Sequence, residues 1–402
     1  HRVARREVLS PFALVYRWPA PNPTSEKPVL FLAHYDVVPA ETDQWTADPF
    51  GAEMRDGYIY GRGALDTKIT LIAALEAAER LAAAGFAPSR DLWFAFGGDE
   101  ERSGVLGARR IAAWLAEQGV SFAWSLDEGS IIAAGQLAGL PVPPALIGVE
   151  EKGFLDIELR VRQNPGHASM PPETQAAAVL GRALDRLARR PFPWTLTPTV
   201  ENFFKRLAAQ YRGPRAFVMA HARFFGPLFF PLAAGTPGTR ALLRTTVAMT
   251  QLFGSSADNV LPSEVRAVLN LRLLAPWTVA AAVDYVRRAV ADDRVQVLVS
   301  PERLANDPVG AAASASRGQG PGWQNLEAAV AAAFPGTPVL PFLVTATTDS
   351  RHYARLCQAM YRFAPLSLDP GELARIHGHD ERVSLDALEK AVSFYHHLLA
   401  QL

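Results

Sequence analysis

The chain has 402 residues, forty Lys and Arg balanced by forty Asp and Glu, 49% hydrophobic residues and a single cysteine. That length predicts two or three domains with sizeable cores, and the composition excludes a disordered tail or a fibrous chain. A net charge of zero with no dense basic stripe argues against nucleic acid as a partner, and Cys357 alone supplies neither an internal disulfide nor a multi-cysteine metal site, so any metal must be held by His and carboxylates.

In chain order, "KPVLFLAHYDVV" reads as a buried strand, and an Ala- and Leu-rich helix follows from about Thr70 to Ala84, with Gly85 as its stop. "RDLWFAFGGDEE" predicts a second buried strand ending in acidic residues, "GARRIAAWLAEQG" a helix, and "FAWSLDEG" a third strand with carboxylates at its C-terminal end. Strands alternating with helices define an α/β sheet, in which ligands collect at the carboxyl ends of the strands. After about Gly148 the pattern changes to half-exposed alternation, in the order βαββαβ, which predicts an inserted α+β domain over 148–302. The first domain then comprises 1–147 and 303–402, resuming with a helix near "WQNLEAAVAAAF" and ending on one after "DERVSLDALEKAVSFYHHLL". The chain starts at His1, so a leader or anchor ahead of it is not visible and the compartment stays open.

The segment 216–235, "AFVMAHARFFGPLFFPLAAG", has the length of a membrane span, but Arg223 near its centre and the helix-disrupting Pro227 and Pro231 argue against one. It is expected to form an apolar pocket wall or a surface touching lipid. The competing reading is a domain core or a dimer contact.

Five clusters carry chemistry. In "AHYDVVP", His34 and Asp36 share one face of a strand end, so the carboxylate can hold the imidazole nitrogen that does not bind metal. "GRGALDTK" delivers Asp66 at a helix start, where a carboxylate either caps the helix or bridges two cations. In "GGDEERSG", Glu100 and Glu101 are adjacent at a strand end and repel each other unless cations or protons intervene. "SLDEG" adds Asp127 and Glu128, and "RIHGHDERV" adds His377, with His379 a lower-ranked candidate. Each taken separately reads equally as a cap, a surface acid or a core histidine. Together, two histidines and several carboxylates without cysteine suit Zn²⁺ in a hydrolytic site, with Co²⁺ or Mn²⁺ as substitutes.

The ordered set "HYDVVP", "GRGALDTK", "GGDEE", "LDEG", "GHASMPP", "NVLPSE" and "IHGHDE" resembles the dinuclear-zinc metallopeptidase family twenty, which includes carboxypeptidase S, glutamate carboxypeptidase and aminoacylases. "VLFLAHYDVVP", "LLRTTVAMTQLF" and "TDSRHYARL" look closest to its carboxypeptidase S and N-fatty-acyl-amino-acid hydrolase branch. The resemblance implies a zinc-dependent exopeptidase-type catalytic domain, a mixed sheet flanked by helices, with the insert as a ferredoxin-like lid that also forms a homodimer. It implies two Zn²⁺, with Asp66 bridging, His34 and Asp127 completing one ion, and Glu101 and His377 the other. Glu100 becomes the general base toward a metal-bridging water, and Asp36 the partner of His34. His167, in "GHASM", would stabilise the reacting carbonyl oxygen, often from a partner subunit. Asn259, Arg272, Thr348 and Asp349 would face the substrate, with Arg272 pairing to a terminal carboxylate; read without the resemblance, His167 is structural, and strand position equally allows Arg272 to be an ordinary exposed residue. "TATTDS" departs from the family's pattern, with Ala346 and Thr347 where glycines are usual, which weakens the case for close backbone approach at Thr348 and Asp349.

The expected activity is therefore hydrolysis of N-acyl amino acids. A long or apolar acyl group is expected from the 216–235 segment together with Trp194, Phe203 and Phe204. Release of C-terminal residues from short peptides is the nearer alternative, and a non-catalytic binding protein the more distant one.

Overall fold

A computed structural model describes residues 5–22, 25–137, 139–301, 304–310 and 315–402. The predicted boundary at 302/303 lies outside them.

Ten strands form the central sheet. Its main path runs Arg5–Ser10, Ala13–Trp18, Leu92–Gly97, Val29–His34, Trp124–Asp127, Met360–Arg362, Ala145–Glu151, Ile132–Ala133, Ser367–Leu368, and Val339–Val344 joins Ala145–Glu151 from outside that path. Val29–His34 runs parallel to both Leu92–Gly97 and Trp124–Asp127. All six of its residues are buried because helices cover both faces, which explains a continuous apolar run instead of alternation. Phe31 stacks on Phe94 at 5.2 Å and meets Trp124 edge-on at 5.9 Å, locking the three strands in register. On one face, helix Ile69–Ala83 packs against the C-terminal helix Leu385–Leu399, and its buried Ala73, Ala74 and Ala77 allow the close approach. Ser384 caps the C-terminal helix by accepting the Ala387 N–H at 3.1 Å.

The second sheet has four antiparallel strands in the order Thr246–Phe253, Glu264–Leu273, Gly153–Arg162, Gln296–Val299. Along Glu264–Leu273 every second residue is buried, beneath helices Ala176–Arg189 and Val279–Val290. Alternation survives here because only one face of this sheet is covered. The stretch "IGVEEKGFLDIELRVRQ", with which the half-exposed alternation of the insert was expected to begin, holds two strands. Ala145–Glu151 belongs to the central sheet, and the chain changes sheets at Lys152 and Gly153.

Between the sheets lie four helices, Pro198–Ala208, Pro214–Ala220, Gly226–Ala233 and Pro237–Leu243. Their core joins Phe203, Phe204 and Phe229 to Leu146, Leu340 and Leu343 of the central sheet, so the apolar segment packs on that sheet. Pro231 sits inside Gly226–Ala233 after all. In a helix of two turns its missing N–H forfeits only the bond to Pro227, which is itself in the first turn.

Candidate active site

Parallel strands end together, so His34, the Glu100–Glu101 turn and Glu128 arrive at one edge of the central sheet. His34 is buried; its Nδ1 lies 3.1 Å from the Asp36 carbonyl oxygen and 3.4 Å from Asp36 Oδ1, and its Nε2 is 3.1 Å from Asp66 Oδ1. With Nδ1–H donated to Asp36, the Nε2 lone pair faces the carboxylates. Asp36 is further fixed by accepting the backbone N–H groups of Glu100 and Glu101, each at 3.1 Å. His377 Nε2 lies 3.1 Å from Asp66 Oδ2 and 3.0 Å from Glu101 Oε1. Two oxygens of one carboxylate thus face two histidines, and two ligand groups share Asp66: His34, Asp66, Glu128 and Asp66, Glu101, His377.

Asp66 is aimed by a buried carboxylate that the sequence reading passed over. Glu381 accepts the backbone N–H groups of Gly63 (2.9 Å), Leu65 (2.8 Å) and Asp66 (3.1 Å), and pairs with the buried Arg62 guanidinium at 2.8 Å. His377 holds a left-handed backbone at φ 61°, which a β-branched residue would strain to adopt.

Four carboxylates, Asp66, Glu100, Glu101 and Glu128, converge here with two histidines. Burial pushes the Glu100 carboxyl up to about 7, with the Glu101 and Asp66 charges adding to the effect. Burial, then the Asp66 and Asp127 charges, drives Glu128 well above the usual carboxylate range. Burial disfavours charge on His34, yet its bonds to Asp36 and Asp66 raise it well above an ordinary histidine, and bonds to Asp66 and Glu101 raise His377. A buried cluster this acidic is stabilised by cations, and its oxygen and imidazole donors fit borderline divalent ions.

The cluster forms one side of a cavity of about 490 Å³. Ile131, Phe154, Leu304, Leu366, Leu368 and Leu373 make an apolar wall, and Arg272, Arg351 and Thr348 also line it. Phe154 and Arg272 are cross-strand partners at the near end of the second sheet, with the guanidinium 5.0 Å from the ring centre. Arg351, in "TDSRHY", went unnoticed in the sequence; its positive charge favours the ionised form of Glu100.

Several expectations change. Asp127, expected as a ligand, turns away: Oδ1 accepts the Glu128 N–H at 2.9 Å and Oδ2 the Ser350 N–H at 2.8 Å. Neighbouring residues at a strand end point oppositely, and Glu128 is the one that joins His34 and Asp66. Asp349, expected at the substrate, is buried beneath Gly97, where a Cβ would lie 2.6 Å from its Oδ2. Thr348 lines the cavity, but its hydroxyl donates to Glu151 at 2.8 Å. His379 lies at the surface, 3.5 Å from Glu41. None of Trp194, Phe203, Phe204 or 216–235 lines the cavity; the apolar wall comes from Ile131, Leu304, Leu366, Leu368, Leu373 and Phe154. His167 and Asn259 lie together, with the Ala168 N–H donated to the Asn259 carbonyl at 3.0 Å, on a small exposed ribbon that does not line this cavity. Strand Gly153–Arg162 starts at the cavity and runs ten residues, about 33 Å, before that ribbon begins.

Fold and site together define a metal-dependent hydrolase of amide or peptide bonds. The chain belongs to peptidase family M20/M25/M40, whose model matches residues 30–401, and divalent metal binding follows from that membership. It is 37% identical to N-fatty-acyl-amino acid synthase/hydrolase PM20D1 of Mus musculus, over 98% of this chain and 77% of that protein. It is 34% identical to probable carboxypeptidase S-like 2 of Dictyostelium discoideum, over 99% and 76%. Among solved structures, the M20 family metallo-carboxypeptidase Sso-CP2 of Sulfolobus solfataricus superposes with a TM-score of 0.70 at 16% identity, covering 99% of this chain and 89% of that one. Human carnosine dipeptidase 1 gives 0.68 at 17% identity, covering 99% and 87%.

Proposed function

We propose that this chain hydrolyses N-acyl amino acids bearing long or apolar acyl groups, releasing fatty acid and amino acid. The observation that carries the reading is a single cavity with an acidic His and carboxylate cluster on one side and an apolar wall on the other. His34, Asp66 and Glu128 would hold one cation, and Asp66, Glu101 and His377 a second; Zn²⁺ suits the donors, with Co²⁺ or Mn²⁺ as substitutes. When bound, the pair acidifies water and polarises the amide carbonyl. Glu100 takes a proton from the attacking water and gives it to the leaving amine nitrogen. Arg272 pairs with the substrate α-carboxylate, which selects a free amino-acid terminus, while the acyl chain lies along Ile131, Leu366 and Leu368.

The second sheet, within 148–302, serves as a lid on the catalytic domain of 1–147 and 303–402. A separate apolar core supports this division, although the change of sheet falls at Lys152. We assign His167 to the site of a second subunit, because its ribbon does not line its own cavity. The strand Thr246–Phe253 supports a homodimer through the lid: it is an edge strand with Met249, Leu252 and Phe253 exposed.

Kinetics of N-lauroyl and N-acetyl forms of one amino acid test the proposal. A clear preference in kcat/KM for the lauroyl form is expected, and equal values would remove the acyl-group reading. Turnover of short peptides with neither acyl form cleaved would establish the carboxypeptidase or dipeptidase reading, which the relationship to the carboxypeptidase S-like protein favours.

A further inference from the structure

The four-helix segment has an inner and an outer face of the same apolar character. Inward, Phe229 is buried against Phe204 with ring centres 4.9 Å apart. Outward, Phe224, Leu228 and Leu232 are 82%, 52% and 62% exposed, and Phe217 on the preceding helix is 57% exposed. Leu228 and Leu232, spaced i, i+4, share one face of helix Gly226–Ala233, and the exposed Phe224 lies in the turn two residues before its start. Charge separates this segment from the rest of the neutral chain. Between 205 and 245 there are seven Lys and Arg and no Asp or Glu. Of these, Arg223 is paired with Glu201, and the Arg244 guanidinium lies over the Trp194 ring. Arg212 and Arg215 are exposed at the start of the preceding helix Pro214–Ala220, which carries Phe217, and Arg240 is exposed within the following helix Pro237–Leu243.

No helix among the described residues is long and apolar enough to cross a membrane. The helix Gly226–Ala233 is eight residues, about 12 Å, less than half a bilayer's hydrocarbon core. A short helix with an apolar outer face and flanking arginines fits the membrane interface, with apolar side chains at the acyl boundary and guanidinium groups among anionic headgroups. A symmetric contact with a second copy of the chain would bring two acid-free basic segments together, which disfavours that occupant.

We propose that this face docks the protein on the surface of an anionic phospholipid bilayer, inserting Phe224, Leu228 and Leu232 and pairing Arg212, Arg215 and Arg240 with headgroups. The inference does not depend on the substrate proposed above.

Co-sedimentation of the purified protein with extruded vesicles tests it, comparing phosphatidylcholine alone with phosphatidylcholine and phosphatidylserine at seven to three, at 0.1 M salt. Three arginines near an anionic surface predict a partition coefficient for the anionic vesicles higher by on the order of a hundredfold, falling as salt is raised. A Phe224→Ser, Leu228→Ser, Leu232→Ser variant, shown by thermal melting to remain folded, should lose at least about tenfold of that binding. An Arg212→Glu, Arg215→Glu variant should lose the preference for anionic lipid. Equal binding to both vesicle types, no binding, or binding unchanged by either variant would overturn the proposal. So would a serine variant that turns a vesicle-inert dimer into a monomer, which would show that a second copy covers this face.

Discussion

Replacing Glu381 with Gln should damage the site without touching any proposed ligand. Glu381 Oε1 accepts the N–H groups of Leu65 and Asp66, and Oε2 accepts that of Gly63 together with the Arg62 guanidinium. Both partners of the ion pair are almost fully buried. The amide keeps one oxygen for Leu65 and Asp66 but turns an NH₂ donor toward two donors, and it leaves the Arg62 charge without its counter-ion. Breaking a buried pair from one side costs about 3–5 kcal/mol. Hydrogen exchange over residues 60–70 reads the effect locally: a 3 kcal/mol loss in the opening free energy speeds exchange by roughly a hundredfold. Metal content should fall with it, since the released Gly63 N–H and Arg62 guanidinium anchor the turn that carries Asp66. Exchange within about threefold of the parent protein, with metal content unchanged, would refute the assignment of Glu381 as the group that positions Asp66.

Three other outcomes follow from the geometry. Glu128→Ala should lose about one equivalent of bound divalent metal by elemental analysis, whereas Asp127→Asn should retain the metal and melt at a lower temperature because its carboxylate holds the Ser350 loop; the reverse pattern would restore Asp127 as the ligand. Burial, and secondarily the Arg272 charge, holds Lys152 down at about 7 against an unfolded value of 10.5. The unfolded chain therefore binds more protons between those values, and stability rises with pH across that window, by about 1 kcal/mol per unit; Lys152→Met should flatten the rise measured by urea unfolding at pH 7.5 and 9. Mixing Glu100→Ala with His167→Ala protein should recover about a quarter of wild-type turnover if subunits exchange at random, since half the dimers are mixed and one of their two sites is complete; no recovery despite demonstrated exchange would place His167 in its own subunit's site.

The central sheet was legible because buried parallel strands are continuous apolar runs and their acidic ends break that pattern abruptly at His34, Glu100 and Asp127. Two neighbouring carboxylates were harder to separate. In "SLDEG" the choice between Asp127 and Glu128 depends on which side chain leaves the strand toward the ligand edge, and that is set by the Ser350 N–H, more than two hundred residues away. Glu381 was hidden for the same reason: its partners at 62–66 lie across the whole length of the chain. The apolar cavity wall is assembled from Ile131, Phe154, Leu304 and the stretch 366–373, four separated segments, whereas the conspicuous run at 216–235 drew attention to a surface that does not line the cavity. The change of sheet falls at the charged run Glu150, Glu151 and Lys152, which reads as a solvent-facing stretch although all three side chains are buried.

The passage between the two sheets is a double one. As the chain leaves through Lys152 and Gly153, the returning segment runs beside it, with bridges from Glu151 to Val309 and from Phe154 to Asn306, and a Cβ on Gly153 would sit 2.5 Å from the Asn306 carbonyl. Such a paired ribbon acts as a hinge: bending across it barely displaces what is mounted on it and swings what lies far away. Phe154 sits on the ribbon with Arg272 alongside, whereas His167 lies beyond a lever of about 33 Å, so a ten-degree rotation would carry that histidine roughly 6 Å. The grip proposed for Arg272 on a substrate carboxylate and the arrival proposed for His167 would thereby be mechanically separable.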